Sequence, residues 1–325
     1  MKKLEVLPRT PLANLPTPIQ PLPRLGSELG IELWVKRDDL TGLAFGGNKT
    51  RKLELLVADA QANGADTLVT TGAIQSNHCR QTAAAAARAG LKCDLVLVGE
   101  PPETPQGNLL LDHLLGADIH WTDKAGQGMK YDQVMAELGR AGGNPYAIPY
   151  GGSNPLGVAA YALAMKELLD QDPAFDAIML ASSSGGTQAG LILGAEGHGF
   201  NGRILGISIE PVEEELIGII RQLLTDTVDQ FELDLKPENL AIEVSDDYLG
   251  AGYAVMGQLE KRAIERFAAT EGVLLDPVYT GRAAGGMLDL VEKGAIKPGQ
   301  RVLFWHTGGP PALFAYNSQF SSAGR

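Results

Sequence analysis

A lysine at the start of a helix is the first group in the chain whose position suggests chemistry. Residues 45–56 read FGGNKTRKLELL, in which the glycines suit a tight turn, Asn48 suits a helix N-cap and Lys49 falls in the first helical turn. At about 100° per residue, Lys49 lies on the apolar face of this helix, and Arg51 is predicted to point to solvent. Because burial disfavours a charged amine, Lys49 either forms an imine with a carbonyl cofactor or extends its head out to water.

Residues 183–187, with the sequence SSGGT, join a predicted strand to a predicted helix. Glycines such as Gly185 and Gly186 let the backbone approach a ligand, and the free N–H groups at a helix start favour an anion. The hydroxyls of Ser184 and Thr187 add further donors. The loop therefore predicts a binding site for a single phosphate, with an ordinary turn capped by Thr187 as the alternative. It lacks the G-x-G-x-x-G pattern of dinucleotide binding.

A strand also leads into residues 75–78, QSNH, where Ser76 is the predicted N-cap of a helix and Gly90 its predicted stop. This helix start suits the carboxylate of a substrate, because of its free N–H groups and its dipole. Asn77 and His78 would lie in the first turn. The spacing leaves open the alternative that Ser76 is only a cap and His78 only a surface residue.

Two more polar residues lie next to predicted strands or helices. Tyr279 lies in a loop between two helical segments, where most tyrosines are merely half-buried. Thr307 follows an apolar strand, where its hydroxyl either donates to a ring nitrogen or caps the strand end. The histidines show no metal-ligand spacing, so no metal site is predicted. Cys79 is predicted to be a small packed residue rather than a nucleophile.

The composition limits the classes of protein to which the chain can belong. Its 325 residues are enough for two domains of ordinary size. A net charge of −12 argues against nucleic acid or an anionic membrane surface as the main partner. Only two cysteines occur, so no disulfide framework is predicted and a reduced, cytoplasmic location is expected. No stretch resembles a signal peptide or approaches the ~18 apolar residues of a membrane span.

Apolar strands alternate with helices along most of the chain, and only residues 226–255 lack a regular pattern. The predicted strands are residues 31–36, 66–71, 91–98, 118–122, 146–149, 175–180, 203–210 and 301–305. This alternation predicts an α/β fold with parallel sheets covered by helices on both faces. In such sheets, ligands bind beyond the carboxyl ends of the strands. A lysine for an imine, a loop for one phosphate and a helix start for a carboxylate together indicate pyridoxal phosphate and an amino acid.

Several motifs occur in the order of one known family, from about residue 9 to residue 316. They are KRDDLTGLAFGGNKTRKLE, GAIQSNHCRQTAA, GGSNPLG, SSGGTQAG, EGVLLDPVYTG and HTGGPPALFAY. By these motifs the chain resembles the pyridoxal-phosphate enzymes of the 1-aminocyclopropane-1-carboxylate (ACC) deaminase and D-cysteine desulfhydrase family. The resemblance implies the tryptophan-synthase-β-like fold (fold type II), pyridoxal 5′-phosphate as cofactor, a small amino acid as substrate and a homodimer.

We expect two three-layer α/β domains with mainly parallel sheets. The small domain is predicted to comprise residues 50–152 and to hold the substrate carboxylate. The large domain is predicted to comprise residues 1–49 plus 153–325 and to hold the cofactor phosphate. Lys49 would then lie at the hinge, so that domain closure brings the carboxylate and the cofactor together.

The resemblance also assigns a role to each motif residue, with Lys49, Ser76 and Tyr279 as the catalytic candidates. Lys49 forms the imine with the cofactor and, once freed, moves the Cα proton of the substrate. Asn77 binds the phenolic oxygen of the cofactor, Thr307 faces its pyridine nitrogen, and Tyr279 lies over the substrate side. The remaining groups bind anions: Ser76 and His78, with Asn77 between them, hold the substrate carboxylate, and Ser184, Gly185, Gly186 and Thr187 bind the phosphate.

Within the family, the SNH and HTGG motifs favour D-cysteine desulfhydrase. In ACC deaminases the corresponding segment resembles IQSNQ, with glutamine in place of His78. These enzymes also carry a second active-site tyrosine near the last strand. Phe304 is predicted to occupy that position, and because ring opening is thought to depend on the tyrosine pair, ACC deamination is disfavoured. L-Cysteate sulfo-lyases share SNH, GGSNP, GTQAG and HTGG. We therefore expect β-elimination of D-cysteine to pyruvate, ammonia and hydrogen sulfide, with L-cysteate lysis and ACC deamination as alternatives, and a non-enzymatic binder as the rival from another class.

Overall fold

The strands of the protein form two separate sheets. The computed structural model describes residues 1–172 and 174–320, and a strand overlaps each of the predicted strand ranges. The strands are β1 (Ile19–Pro21), β2 (Glu32–Arg37), β3 (Thr67–Ala73), β4 (Lys92–Val98), β5 (Asp118–Thr122), β6 (Pro145–Ala147), β7 (Ala177–Ser182), β8 (Arg203–Ser208), β9 (Glu243–Ser245) and β10 (Arg301–His306).

Helices cover the sheets and connect most of the strands. They are α1 (Lys2–Glu5), α2 (Pro23–Leu29), α3 (Asn48–Ala62), α4 (Asn77–Ala89), α5 (Gly107–Leu114), α6 (Gln127–Arg140), α7 (Pro155–Gln171), α8 (Gly186–His198), α9 (Glu213–Phe231), α10 (Gln258–Glu271), α11 (Thr280–Glu292) and α12 (Asn317–Phe320). The segment without a sequence pattern, residues 226–255, is thus partly regular, because α9 continues into it and β9 lies within it. None of the helices in the described ranges is long and apolar enough to cross a membrane.

The larger sheet has the strand order β1-β2-β10-β7-β8-β9 and is parallel except for β1. Its strands are apolar on both faces. On β7, Ile178 packs in the same apolar cluster as residues of α7, α8 and α9. The next residue, Met179, packs on the other face with residues of α10 and α11. This burial on both sides explains why the strand reads as a continuous apolar run.

The smaller sheet has the order β5-β4-β3-β6, and all of its strand pairs are parallel. Leu68 of β3 packs with α3 and α4, whereas Val69 packs on the opposite face with Val134 of α6. Both sheets therefore have helices on both faces, and the predicted α/β class with mainly parallel sheets is confirmed. The domain bounds 50–152 and 1–49 plus 153–325 stay a prediction, and residues 173 and 321–325 of the latter lie outside the described residues.

One prediction about α3 is wrong: Arg51 does not point to solvent. Its side chain is only 4% exposed and lies 2.9 Å from Asp38 Oδ1 and 2.8 Å from Glu167 Oε1. The prediction failed because α3 contacts α4 on one side and α7 on another, so a second face of the helix is also buried. Burial alone would raise the pKa of Asp38, but the hydrogen-bonded guanidinium of Arg51 holds it below its ordinary value.

Replacing Arg51 by alanine should lower the free energy of unfolding by about 3–5 kcal/mol, because the fully buried Asp38 would lose its cationic partner, whereas Glu167 would keep Lys36 at 2.7 Å. Urea unfolding followed by tryptophan fluorescence measures this loss. The matched control is Arg88→Ala at an exposed position of α4, which should change the free energy by less than about 0.5 kcal/mol. A loss of less than about 1 kcal/mol for Arg51→Ala would contradict the stabilising role of this ion pair.

Candidate active site

The predicted functional residues converge on a cavity beyond the carboxyl ends of both sheets. The enclosed part of the cavity has a volume of about 50 Å³. The first residues of α3, α4 and α8 line it together with the ends of β7 and β10. Its lining comprises Asn48, Lys49, Ser76, Asn77, His78, Tyr150, Gly151, Ala181, Ser182, Ser183, Ser184, Gly185, Thr187, Tyr279 and Thr307. Gly186, the remaining predicted site residue, is buried behind this lining, where an added Cβ would come within 2.5 Å of Ser153 Oγ.

Lys49 reaches this cavity from the first turn of α3. Helix α3 begins one residue earlier than predicted, so Gly47 rather than Asn48 is its N-cap, with φ +129°. A Cβ at Gly47 would lie 2.6 Å from Gln81 Nε2, so only glycine fits this close approach. The Lys49 side chain is partly accessible through the cavity but enclosed by protein. This burial lowers the pKa of Lys49 to about 8, so that a large fraction of the amine is neutral at slightly alkaline pH.

The loop after β7 has the form of an anion site. Gly185 is the N-cap of α8 in a left-handed conformation, with φ +73°, so the alternative in which Thr187 caps this helix is wrong. Ser184 Oγ lies 2.8 Å from Ser153 Oγ. Thr187 Oγ1 instead accepts a hydrogen bond of 3.1 Å from Asn48 Nδ2, which ties the start of α8 to the start of α3. The N–H of Gly186 donates to Ser184 O at 2.9 Å, whereas Gly185 and Thr187 line the cavity together with Lys49 and offer their N–H groups to an anion.

A second lysine, Lys52, lies behind this loop and was missed in the sequence. Its Nζ donates to Gly151 O at 3.1 Å and to Ser153 Oγ at 3.3 Å, and it would lie 3.0 Å from a Cβ on Gly186. Burial, and then the charge of Lys49, lower its pKa well below the ordinary value. An anion at the loop would restore the charged form. One helical turn separates Lys52 from Lys49, and this spacing was the signal in the sequence.

The segment QSNH starts α4 as predicted. Ser76 is the N-cap and accepts from the Cys79 N–H at 3.1 Å, and Gly90 ends the helix in a left-handed conformation. His78 is buried, so its alternative as a surface residue is wrong. Its Nε2 lies 2.8 Å from Thr70 Oγ1. Burial, together with the charges of Lys49 and Lys52, holds the pKa of His78 well below its ordinary value, so the ring is neutral at neutral pH.

Thr307 and Tyr279 close the remaining sides of the cavity. Thr307 follows β10, and its carbonyl oxygen accepts from the Asn48 N–H at 2.9 Å. Tyr279 directly precedes α11, where both oxygens of the buried Asp276 accept N–H groups from residues 278–280. These bonds fix the backbone from which the Tyr279 ring extends. The hydroxyl of Tyr279 lies 2.5 Å from that of Tyr253.

The tyrosine pair corrects the sequence prediction for Phe304. Phe304 is fully buried in β10 and packs against Phe267, away from the cavity lining. It therefore does not occupy the position of a second active-site tyrosine. The hydroxyl that pairs with Tyr279 belongs to Tyr253, in the loop between β9 and α10. No periodic signal in the sequence marks this residue, because neither a strand nor a helix contains it.

The side chains around the cavity fit pyridoxal phosphate. Lys49 offers an amine with a lowered pKa for a carbonyl group. The start of α8 and Lys52 offer hydrogen-bond donors and positive charge for one phosphate. Ser182 Oγ, which lines the cavity region, is buried without a hydrogen-bond partner among the described residues. A polar ligand would satisfy it, since buried polar groups are nearly always paired.

Comparison with known proteins agrees with this fit. Residues 11–308 match the family model described as pyridoxal-phosphate dependent enzyme. The chain is 41% identical to a D-cysteine desulfhydrase of Klebsiella pneumoniae subsp. pneumoniae and 40% identical to a 1-aminocyclopropane-1-carboxylate deaminase of Burkholderia vietnamiensis, with 98% of each chain covered. A solved ACC deaminase homologue superimposes with a TM-score of 0.91 at 38% identity, covering 99% of this chain and 98% of the homologue.

The chain belongs to the pyridoxal-phosphate dependent enzymes, and within them it is a lyase similar to the D-cysteine desulfhydrases and ACC deaminases. The predictions of the family, of the cofactor and of fold type II are thereby confirmed. A threonine deaminase of Solanum lycopersicum shares the fold, with a TM-score of 0.70 at 14% identity. The roles of the individual site residues stay predictions.

The lowered pKa of Lys49 predicts how imine formation depends on pH. Only the neutral amine attacks a carbonyl group. The rate at which the cofactor-free protein forms its visible imine band should therefore rise with pH, with a midpoint near 8, and level off at higher pH. Stopped-flow absorbance after mixing with pyridoxal phosphate measures the profile. A midpoint near the ordinary lysine value of 10.5 would contradict the effect of burial. Lys49→Ala is the control, and a borohydride-sensitive imine band in that variant would show that Lys49 is the wrong lysine.

Proposed function

We propose that this pyridoxal-phosphate dependent lyase eliminates the β-thiol of D-cysteine, with pyruvate, ammonia and hydrogen sulfide as products. The observation that carries the proposal is the arrangement of Lys49 between two helix starts, one suited to a phosphate and the other to a carboxylate. His78 favours D-cysteine among the substrates of this family, since the corresponding segment of ACC deaminases resembles IQSNQ, with glutamine at this position. The similarity to the Klebsiella desulfhydrase supports the same choice.

The phosphate end of the cofactor is assigned to α8. The N–H of Gly186 already donates to Ser184 O at 2.9 Å. The N–H groups of Gly185 and Thr187 at the start of α8 are therefore the backbone donors proposed for the phosphate, together with the hydroxyl of Ser184. Lys52 contributes the charge at this end. The Lys52 amine lies among neutral acceptors, so a phosphate would supply the counter-charge that restores its charged form.

The substrate carboxylate is assigned to the start of α4. Ser76, Asn77 and His78 lie there in consecutive positions, and the helix dipole favours a negative group. Because the imidazole of His78 is neutral, it contributes a polar, uncharged surface to the cavity rather than a charge. The amino group of the substrate then points to Lys49 across the cavity.

Lys49 has two successive roles in this proposal. Its neutral amine would hold the cofactor through the carbonyl carbon, and its Nζ, once freed, would accept the Cα proton of the substrate. When bound, pyridoxal phosphate supplies an electron sink for the electron pair left at Cα. The hydroxyl of Thr307 would be the partner of the ring nitrogen, where it would hold less positive charge on the ring than a carboxylate. A good leaving group such as a β-thiolate tolerates this weaker sink.

ACC deamination is the second candidate, and one observation favours it. The sequence predicted that this chain lacks the tyrosine pair of ACC deaminases, because Phe304 was expected at the second position. In the structure, the hydroxyls of Tyr253 and Tyr279 form such a pair. Burial raises the pKa of both phenols, so both remain protonated at neutral pH. A pair of protonated hydroxyls 2.5 Å apart can pass a proton to a ring carbon of the cyclopropane. The tyrosine pair thus removes the structural objection to ring opening.

Keto-acid products separate these candidates. The purified holoenzyme is incubated separately with D-cysteine, L-cysteine, L-cysteate and ACC, and the products are identified by mass spectrometry. We expect pyruvate to form fastest from D-cysteine. Pyruvate from L-cysteate alone would move the protein to the sulfo-lyases, and strong 2-oxobutyrate formation from ACC would support the second candidate. Lack of turnover with every amino acid, despite tight cofactor binding, would favour a non-enzymatic binder.

The Tyr253→Phe variant tests what the tyrosine pair does. A positioned acid or base typically contributes 10²–10⁴-fold, so the formation of 2-oxobutyrate from ACC should fall by about 10²-fold. Elimination from D-cysteine should stay within about threefold, because the thiolate leaves without a proton from this pair. Tyr248→Phe is the matched control in the same loop, since its hydroxyl bonds to Asp289. An equal loss with both substrates would contradict the division of roles.

A further inference from the structure

A buried guanidinium lies at one end of a chain of amides that leads to the cavity. Arg80, on the first turns of α4, is fully buried and its Nη1 donates to Asn108 Oδ1 at 2.8 Å. Asn108 Nδ2 in turn donates to Asn77 Oδ1 at 2.8 Å. Each link pairs a donor with an acceptor, so the chain has a single direction, from the cation outward.

The orientation of Asn108 is fixed by its own contacts. Its Nδ2 has two hydrogens and two acceptors, Asn77 Oδ1 and Gln75 O, both at 2.8 Å. Its Oδ1 accepts from Arg80, and its backbone N–H donates to Gln75 Oε1 at 2.8 Å. A flipped amide would place its NH₂ against the guanidinium, which has only donors. The group of Asn108 that faces Asn77 is therefore a hydrogen-bond donor and not an acceptor.

The orientation of Asn77 follows from this arrangement. Its Oδ1 receives Asn108 Nδ2 and also lies 3.4 Å from Arg80 Nη1. The amide nitrogen consequently points the other way, toward the loop after β10, where a Cβ on Gly309 would come within 2.9 Å of it. Asn77 is among the residues that line the cavity, and the part of its amide that Asn108 and Arg80 leave unengaged is a hydrogen-bond donor and not an acceptor.

Arg80 also holds the segment that carries Lys49. Its Nη2 donates to Gly46 O at 2.6 Å, three residues before the lysine. The neighbouring Gln81 accepts from the N–H of Thr50 at 2.9 Å, one residue after it. The same turn of α4 therefore fixes the start of α3 on both sides of Lys49 and, through Asn108, the amide of Asn77.

We propose that Arg80 and Asn108 are positioning residues that hold the Asn77 amide with its nitrogen toward the phenolic oxygen of the cofactor. This inference rests on the proposed cofactor and on the contact with its phenolic oxygen that the family resemblance implies for Asn77. The guanidinium polarises the two amides in sequence, and hydrogen bonds aligned in one direction strengthen each other. The last donor of the chain is thereby matched to an oxygen that carries negative charge in the bound cofactor.

The isosteric variant Asn108→Asp tests the chain directly. An aspartate keeps an acceptor for Arg80 but loses the donor to Asn77, so the Asn77 amide should flip and turn its oxygen to the cofactor. We expect the Kd for pyridoxal phosphate to rise by about tenfold or more, since hydrogen bonds to charged groups are worth roughly this factor. Equilibrium dialysis of the cofactor-free protein measures the Kd without any turnover.

A cofactor without the phenolic oxygen distinguishes positioning from general damage. For 3-deoxypyridoxal 5′-phosphate, we expect the Kd of Asn108→Asp to stay within about twofold of wild type, because the oxygen that Asn77 contacts is missing. Asn77→Ala should give the same selective loss, and the double variant should add no further loss. Asn201→Asp, the same change in an exposed loop, should leave both Kd values unchanged.

Two results would overturn the inference. An equal rise of the Kd for both cofactors would mean that Asn108 only supports the local fold, and no rise for pyridoxal phosphate would mean that Asn77 needs no orientation. Arg80→Lys provides a second variant, expected to show a selective loss because a single ammonium nitrogen does not reproduce the fork in which Nη1 reaches Asn108 and Nη2 reaches Gly46. The proposed elimination reaction is tested separately by the keto-acid products. If that reaction is not found, the binding measurements can still be interpreted.

Discussion

Two lysine amines enclosed beside one cavity are the constraint on which the rest of the site depends. Lys49 and Lys52 lie one helical turn apart, and burial lowers the pKa of each. Keeping two cations this close in a buried place is unfavourable, so at least one amine is driven toward its neutral form. An anionic carbonyl compound resolves the conflict, because the phosphate supplies a counter-charge for Lys52 while Lys49 stays neutral and nucleophilic. Pyridoxal phosphate carries both of these groups.

Because Lys49 must meet the cofactor in one geometry, α3 is held from two directions. On the side of α4, Gln81 and Arg80 fix the backbone around the lysine. On the side of α7, Arg51 joins Asp38 to Glu167 in a buried ion pair network. Neither contact touches the cavity, yet together they determine where the first turn of α3 points. Charged residues in the fold thus serve the site through the placement of a single helix.

The sequence predicted those parts of the site that depend on local chain chemistry. The two ends of α4, at Ser76 and Gly90, were predicted because a helix cap depends only on residues that are close in the sequence. The apolar strands were evident from their composition. Arg51 was placed wrongly because a helical wheel assumes one buried face, and α3 has more than one. Tyr253 was missed because its position comes from a loop that no periodicity describes. The contact between Asn108 and Asn77 joins two helices and leaves no trace in either of them.

The choice between the candidate substrates depends on a few side chains and is hard to predict from the sequence. Relatives named for D-cysteine desulfhydration and for ACC deamination are 41% and 40% identical to this chain, so overall similarity does not separate the two. The cofactor contacts do not separate them either, since the family shares the cofactor. A tenfold preference in rate requires only about 1.4 kcal/mol. A single hydroxyl such as that of Tyr253, or glutamine in place of His78, suffices for a difference of this size.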